Sequence, residues 1–275
     1  MKIIWKNFSP VQKFLIALYG VCVIWILIVF VFQLRDATFS YLEGFPLGLL
    51  PLFGGFFGLK LSKKWRVSSR DLARAVTFLS CGLITWGIGT AVFFPYYNLI
   101  YNIPAPYPSL ADVGYVASYP LWGIGLIYLL RTTGIKLQLK KLTGKIMLFA
   151  LTVFPAISSY YLFFLVARGR GIDFTQDIGK LLLDFGYYVG DIIILSLVLF
   201  IIYSLSFAEE DSKIKPAVMI ILIGFIVNYI ADFSFLYTTT VGIFFVASWV
   251  DFLYATDMLL LSLGVTALDP EQNKT

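Results

Sequence analysis

Long apolar runs separated by short polar or basic clusters set the rhythm of this chain, in place of the strict alternation of strands or the narrow apolar stripe of soluble helices. The first run, Phe14–Leu34, follows a basic leader and holds about 20 apolar residues, enough to cross about 30 Å of hydrocarbon as a helix. It exceeds the roughly 7–15 residues of a secretory signal core, and no small-x-small cleavage site comes before Arg35, so it reads as an uncleaved span. Seven further runs follow: Gly44–Leu61, Asp71–Phe94, Leu110–Leu130, Ile146–Ala167, Lys180–Phe207, Ala217–Leu236 and Val241–Val265. The connections are too short to hold a separate folded unit. The pattern therefore predicts an all-α, polytopic bundle of eight transmembrane helices forming one transmembrane domain over residues 1–275.

Glycine and proline mark places inside these runs. Gly54 and Gly58 make a small-xxx-small pair in the second span, as Gly186 and Gly190 do in the sixth; both favour close helix packing, with a hinge as the alternative at Gly54. Pro120 and Pro155 interrupt the fourth and fifth spans and are expected to bend them. The uncharged link Pro95–Ser109, rich in tyrosine, suits a membrane interface. Tyr237–Thr240 reads as the short link between the last two spans.

Composition agrees, with 59% hydrophobic and 13% charged residues and a mean hydropathy of +0.85, values that exclude a soluble domain. The net charge of +5 comes from cations at the ends of apolar runs, which points to the bilayer surface as partner and away from nucleic acid. With the amino terminus inside, 17 of the 21 lysines and arginines fall in inner segments, so both termini are expected to be cytoplasmic and the chain to lie in the cell membrane. Cys22 and Cys81 sit in apolar runs without a disulfide or Cys-x-x-Cys pattern. Histidine is absent, which removes the usual general base and the commonest zinc and haem ligand; a metal would have to be a hard cation held by oxygen, and no metal set is assigned. No phosphate loop, nucleophile elbow or zinc-protease motif occurs, so no enzymatic activity is expected, although paired intramembrane aspartates can in principle perform acid–base chemistry. No cofactor can be named.

The chemistry resides in aspartates within the apolar runs. Asp112 opens the fourth span in PAPYPSLADVGYVASYPLW, and Asp184, Asp232 and Asp251 recur in the form Asp, apolar, any residue, aromatic. An ionisable group at a bilayer centre costs at least about 2.5 kcal/mol, so each marks a candidate functional position. Helical spacing aligns Asp112, Tyr115 and Tyr119; Asp184, Tyr188 and Asp191; Asn228 and Asp232; and Ser248, Asp251 and Tyr254. These stripes are expected to face inward around one polar pocket that binds a small molecule or a cation. The expected topology puts Asp112, Asp184 and Asp232 near the outer helix ends and Asp191, Asp251 and Asp257 deeper. The competing role is capping of backbone amides, which Ser109 and Asp112 fit best. Asp257 falls on a different face from Asp251, toward water or a neighbouring helix.

PYPSLADVGYVASYPLW, DFGYYVGDIIILSLVLFII and WVDFLYATDMLLLSLG together resemble the eight-helix amino-terminal membrane domain of many bacterial diguanylate cyclases and phosphodiesterases and of some sensor kinases. That family shares a Pro-Ser-x-Ala-Asp before a Tyr-Pro-Leu helix, a later Gly-Asp and a final Asp-aromatic segment. The resemblance covers roughly Tyr107 to Gly264 and implies a sensory input module with a cytoplasmic carboxyl end. The sequence ends at Thr275 without a cyclase, phosphodiesterase or kinase segment, so the expectation is a stand-alone sensor that signals through a cytoplasmic or membrane partner. The rival is a small or proton-coupled transporter built on the same aspartates.

Overall fold

The computed structural model of the protein describes residues 8–35, 38–93, 95–101, 103, 106–133, 142–169, 178–207 and 214–270. Among these residues it is all-helical, with eight helices long and apolar enough to cross a membrane. We number them α1 Pro10–Val31, α2 Gly44–Trp65, α3 Arg70–Ile88, α4 Leu110–Thr132, α5 Leu142–Ser159, α6 Ile178–Leu205, α7 Lys215–Thr240 and α8 Trp249–Ala267. α3 runs on into a π-helical turn, Gly89–Phe93, and α5 into another, Tyr160–Ala167. A single helical turn, Thr38–Tyr41, precedes α2, and a further wide turn, Tyr96–Ile100, lies in the aromatic link.

Serine starts four of the helices. Ser9 Oγ accepts the Gln12 amide and Gln12 Oε1 accepts the Ser9 amide at the start of α1, where Pro10 leaves no amide to satisfy. Ser69 caps Leu72 on α3. Ser109 and Ser248 open α4 and α8, each joined to the aspartate three residues on.

The last span departs from expectation. Tyr237–Thr240 is the final turn of α7: the Val241 amide still donates to the Tyr237 carbonyl at 3.0 Å, and the Thr238 and Thr239 hydroxyls are turned back onto the Ser234 and Phe235 carbonyls. Gly242, at φ 73°, then stops it, and the apolar residues to Val246 form a loop that closes at Ala247, φ 62°, before the Ser248 cap. α8 thus begins eight residues later than the apolar run, and Asp251 lies in its first turn, not deep in the span.

Two small-residue pairs behave differently. A Cβ on Gly54 would strike Ser262 of α8, and one on Gly58 would strike Ser80 of α3 and Val265 of α8, so both glycines set close helix approaches. On α6 only Gly190 is so placed, against the Tyr119 ring; Gly186 faces open space.

The apolar core fills one end of the bundle. Leu72, Val76 and Leu79 from the first half of α3 meet Leu126 and Leu129 from the last half of α4. Val198 and Ile201 of α6, Ile221 and Phe225 of α7, and Met258, Leu261 and Val265 of α8 complete it. Large apolar side chains of α1 and α5, such as Ile24, Leu27, Phe149 and Ile157, remain exposed, as a lipid-facing surface requires. At the other end the same helices carry their polar residues, and there they part around a cavity.

Candidate functional site

The cavity measures about 890 Å³ and is walled by the ends of α2, α3, α4, α6, α7 and α8 with the π turn after α5. That volume lies within the roughly 300–1,000 Å³ range of small-molecule pockets. Its rim includes the exposed Pro106, Tyr107, Thr239 and Thr240, and Trp122 borders it on the core side. All ten residues singled out from the sequence border it.

On α4, Asp112 is held from three sides. Its Oδ2 accepts the Ser109 amide at 2.7 Å and the Ser109 hydroxyl at 2.9 Å, while its Oδ1 accepts the Tyr187 hydroxyl at 2.8 Å. Capping accounts for one oxygen, and a tyrosine of α6 for the other. One turn on, the Tyr115 ring packs on Trp86 with centroids 5.5 Å apart, and its hydroxyl accepts a bond from Thr90 at 3.1 Å.

Tyr119, a further turn along, reaches two carboxylates. Its hydroxyl lies 3.0 Å from Asp191 Oδ1 and 3.1 Å from Asp232 Oδ2. Tyr254 of α8 donates to Asp232 Oδ1 at 2.8 Å. Asp191 Oδ2 is buried and receives no donor, and the Asp191 and Asp232 carboxyls lie within hydrogen-bond reach of each other. One phenolic proton cannot fully serve two ionised acids, so a full set of bonds needs a further hydrogen on the Asp191–Tyr119–Asp232 chain.

At the rim, Asp184 accepts the Tyr107 hydroxyl at 2.7 Å and pairs with Arg168 Nη2 at 2.7 Å. Partial burial and the adjacent Asp184 carboxylate raise the Tyr107 phenol above its ordinary value, which keeps it a donor. Tyr188 points toward α5, donating to the Ala156 carbonyl at 3.2 Å and packing on Phe164. Asp251 accepts the Ser248 amide at 2.9 Å and completes the α8 cap.

Asn228 borders the cavity but donates to Asp257 of α8 at 2.8 Å, a fully buried contact that joins α7 to α8. Asp257 thus meets a neighbouring helix, and it does not line the cavity.

Sequence reasoning missed Glu43. It precedes α2, is 1% exposed, lines the cavity and leaves Oε1 without a partner. It also missed the three cations that border the cavity, Arg35, Arg168 and Lys180. Arg35 lies over the Phe245 ring at 4.6 Å and Lys180 over Tyr107 at 5.8 Å. The signal was present: these are three of the four cations outside the basic inner segments, counted only for orientation.

Among the described residues, the cavity wall therefore carries six carboxylates and three cations. Among the described residues, no three Asp, Glu or Cys side chains converge as a metal site demands.

The fold and these spans define a multi-pass helical membrane protein with a polar cavity at one end. No family model, curated protein or solved structure matches the chain.

Proposed function

We propose that this protein is a sensor-like receptor of the cell membrane, with both termini cytoplasmic and the cavity opening on the outer side. It binds a small molecule or cation there and signals through a cytoplasmic or membrane partner. The observation that carries this reading is one cavity of about 890 Å³ bordered, among the described residues, by six carboxylates and three cations. Such an excess of acid within apolar helices is costly unless something balances it. The cavity lies at the end where Arg35, Arg168 and Lys180 reside, the end that charge asymmetry assigns to the outside. The kinship with sensory membrane domains suggested by the Pro-Ser-x-Ala-Asp and Gly-Asp segments supports signalling as the output. No catalytic role is assigned to the aspartates.

A second reading, a proton-coupled carrier, is favoured by the Tyr119 hydroxyl lying between Asp191 and Asp232. A chain of two acids and a phenol can pass a proton as well as hold one. Reconstitution in liposomes separates the two. A receptor gives no saturable, substrate-driven proton flux, whereas a carrier does, and flux abolished by Asp191→Asn would overturn the receptor reading.

A further inference from the structure

Within that reading, we propose that the cavity takes an organic ammonium ion, with Glu43 and Asp191 as its carboxylate acceptors and Trp86, Tyr115 and Tyr254 as its aromatic wall. The argument begins with the two acids. Glu43 and Asp191 are 1% and 3% exposed and line the cavity from the residue before α2 and from α6; each keeps a carboxylate oxygen that receives no donor, although the Asp191 carboxyl lies beside that of Asp232. Buried acceptors left in this way invite a donor. The other acids are engaged: Asp112 and Asp251 by their serine caps, Asp184 by Arg168 and Tyr107, Asp232 by Tyr119 and Tyr254.

The second element is the wall. Trp86 borders the cavity with Tyr115 and Tyr254 at 5.5 Å and 5.9 Å between ring centroids. An ammonium ion is attracted to the faces of such rings, most strongly in a desolvated site. Size and donor set point the same way. Calcium or magnesium calls for about six or more oxygens converging on one point, whereas here the free acceptors sit on separate helices around a cavity large enough for several carbon atoms. Among the described lining residues an anion would meet more carboxylates than cations.

The test uses the full chain in lipid nanodiscs, with tryptophan fluorescence and thermal unfolding read together. The probes are n-butylammonium, tetramethylammonium and 1,4-butanediammonium chlorides, against 1-butanol, sodium chloride and magnesium chloride at matched ionic strength. We expect a saturable response to at least one ammonium probe and none to butanol, with affinity falling tenfold or more in Glu43→Gln and in Asp191→Asn. Should a variant fail to fold, the contrast between butylammonium and butanol on the parent protein decides. A saturable response to sodium or magnesium with none to the ammonium probes overturns this ligand class and leaves the receptor reading standing. No saturable response to any probe overturns the ammonium inference, and if flux then appears in the liposome assay the receptor reading falls too.

Discussion

Gly190 is the position where a single methyl group should reach furthest into the site. A Cβ there would lie 2.8 Å from both Cγ and Cε1 of the Tyr119 ring, far inside contact distance, and the ring is confined between Trp122 and Tyr187. Gly190→Ala must therefore displace the ring and withdraw its hydroxyl from Asp191 and Asp232. Overpacking costs about 1–3 kcal/mol, and a hydrogen bond to a charged partner contributes about 1.5–3 kcal/mol. Replacing glycine by alanine inside a helix returns about 1 kcal/mol. The net loss is roughly 1.5–5 kcal/mol, and at about 2–4 °C per kcal/mol for a chain of this size the unfolding temperature should fall by roughly 3–20 °C. Gly186→Ala, one turn away with no atom within 4 Å, is the control and should be neutral or slightly stabilising. Thermal unfolding in a single detergent measures both. The same Gly190→Ala change made on top of Tyr119→Ala should cost nothing, since the obstacle is gone, giving a coupling above about 1 kcal/mol. If Gly190→Ala lies within about 0.5 kcal/mol of the parent, or costs the same in both backgrounds, the assigned contact is wrong.

Arg168→Met leaves Asp184 without its cation, and breaking a largely buried pair costs about 3–5 kcal/mol; Arg168→Met with Asp184→Leu should recover most of this in the same unfolding assay. Asp251→Asn should keep the α8 start and stability, whereas Asp251→Leu should lose about 1 kcal/mol of capping, read from denaturant midpoints; equal losses would argue against the cap. For topology, in a protein lacking Cys22 and Cys81, an impermeant thiol reagent applied to intact cells should label Tyr237→Cys and spare Gln138→Cys. The opposite pattern would invert the bundle.

Much of this architecture is written in apolar run length, because a helix in lipid must satisfy its own backbone and so needs a nearly uninterrupted apolar sequence. The same signal misplaced the start of α8. Ile243, Phe244 and Phe245 are as apolar as any span, and run length cannot see that Gly242 and Ala247 take left-handed conformations that turn them into a loop. Ser248-Trp249-Val250-Asp251 was the legible correction, since it has the same Ser-x-x-Asp form as Ser109-Leu110-Ala111-Asp112. The aspartate stripes around the cavity could be found because helical spacing and the cost of charge in lipid leave them one direction to face. Glu43 and Arg168 were out of reach of that logic. Both lie outside the regular α-helices, where no periodicity assigns a face, and only the tertiary fold brings them to the cavity.

The two wide turns that extend α3 and α5 uncouple chain length from helical register along the wall of the cavity. A π turn is an α turn holding one residue too many. Losing a residue there lets the turn tighten while everything before and after keeps its orientation. Within α4, by contrast, one deletion rotates all that follows by about 100° and would carry Tyr119 off the cavity. Deleting Val92, exposed within Gly89–Phe93, should therefore leave expression and unfolding temperature close to the parent, while deleting Val116 of α4 should destroy both. Thr90, Phe163 and Phe164 thus stand on the parts of the wall that can change in length without disturbing the aspartates behind them.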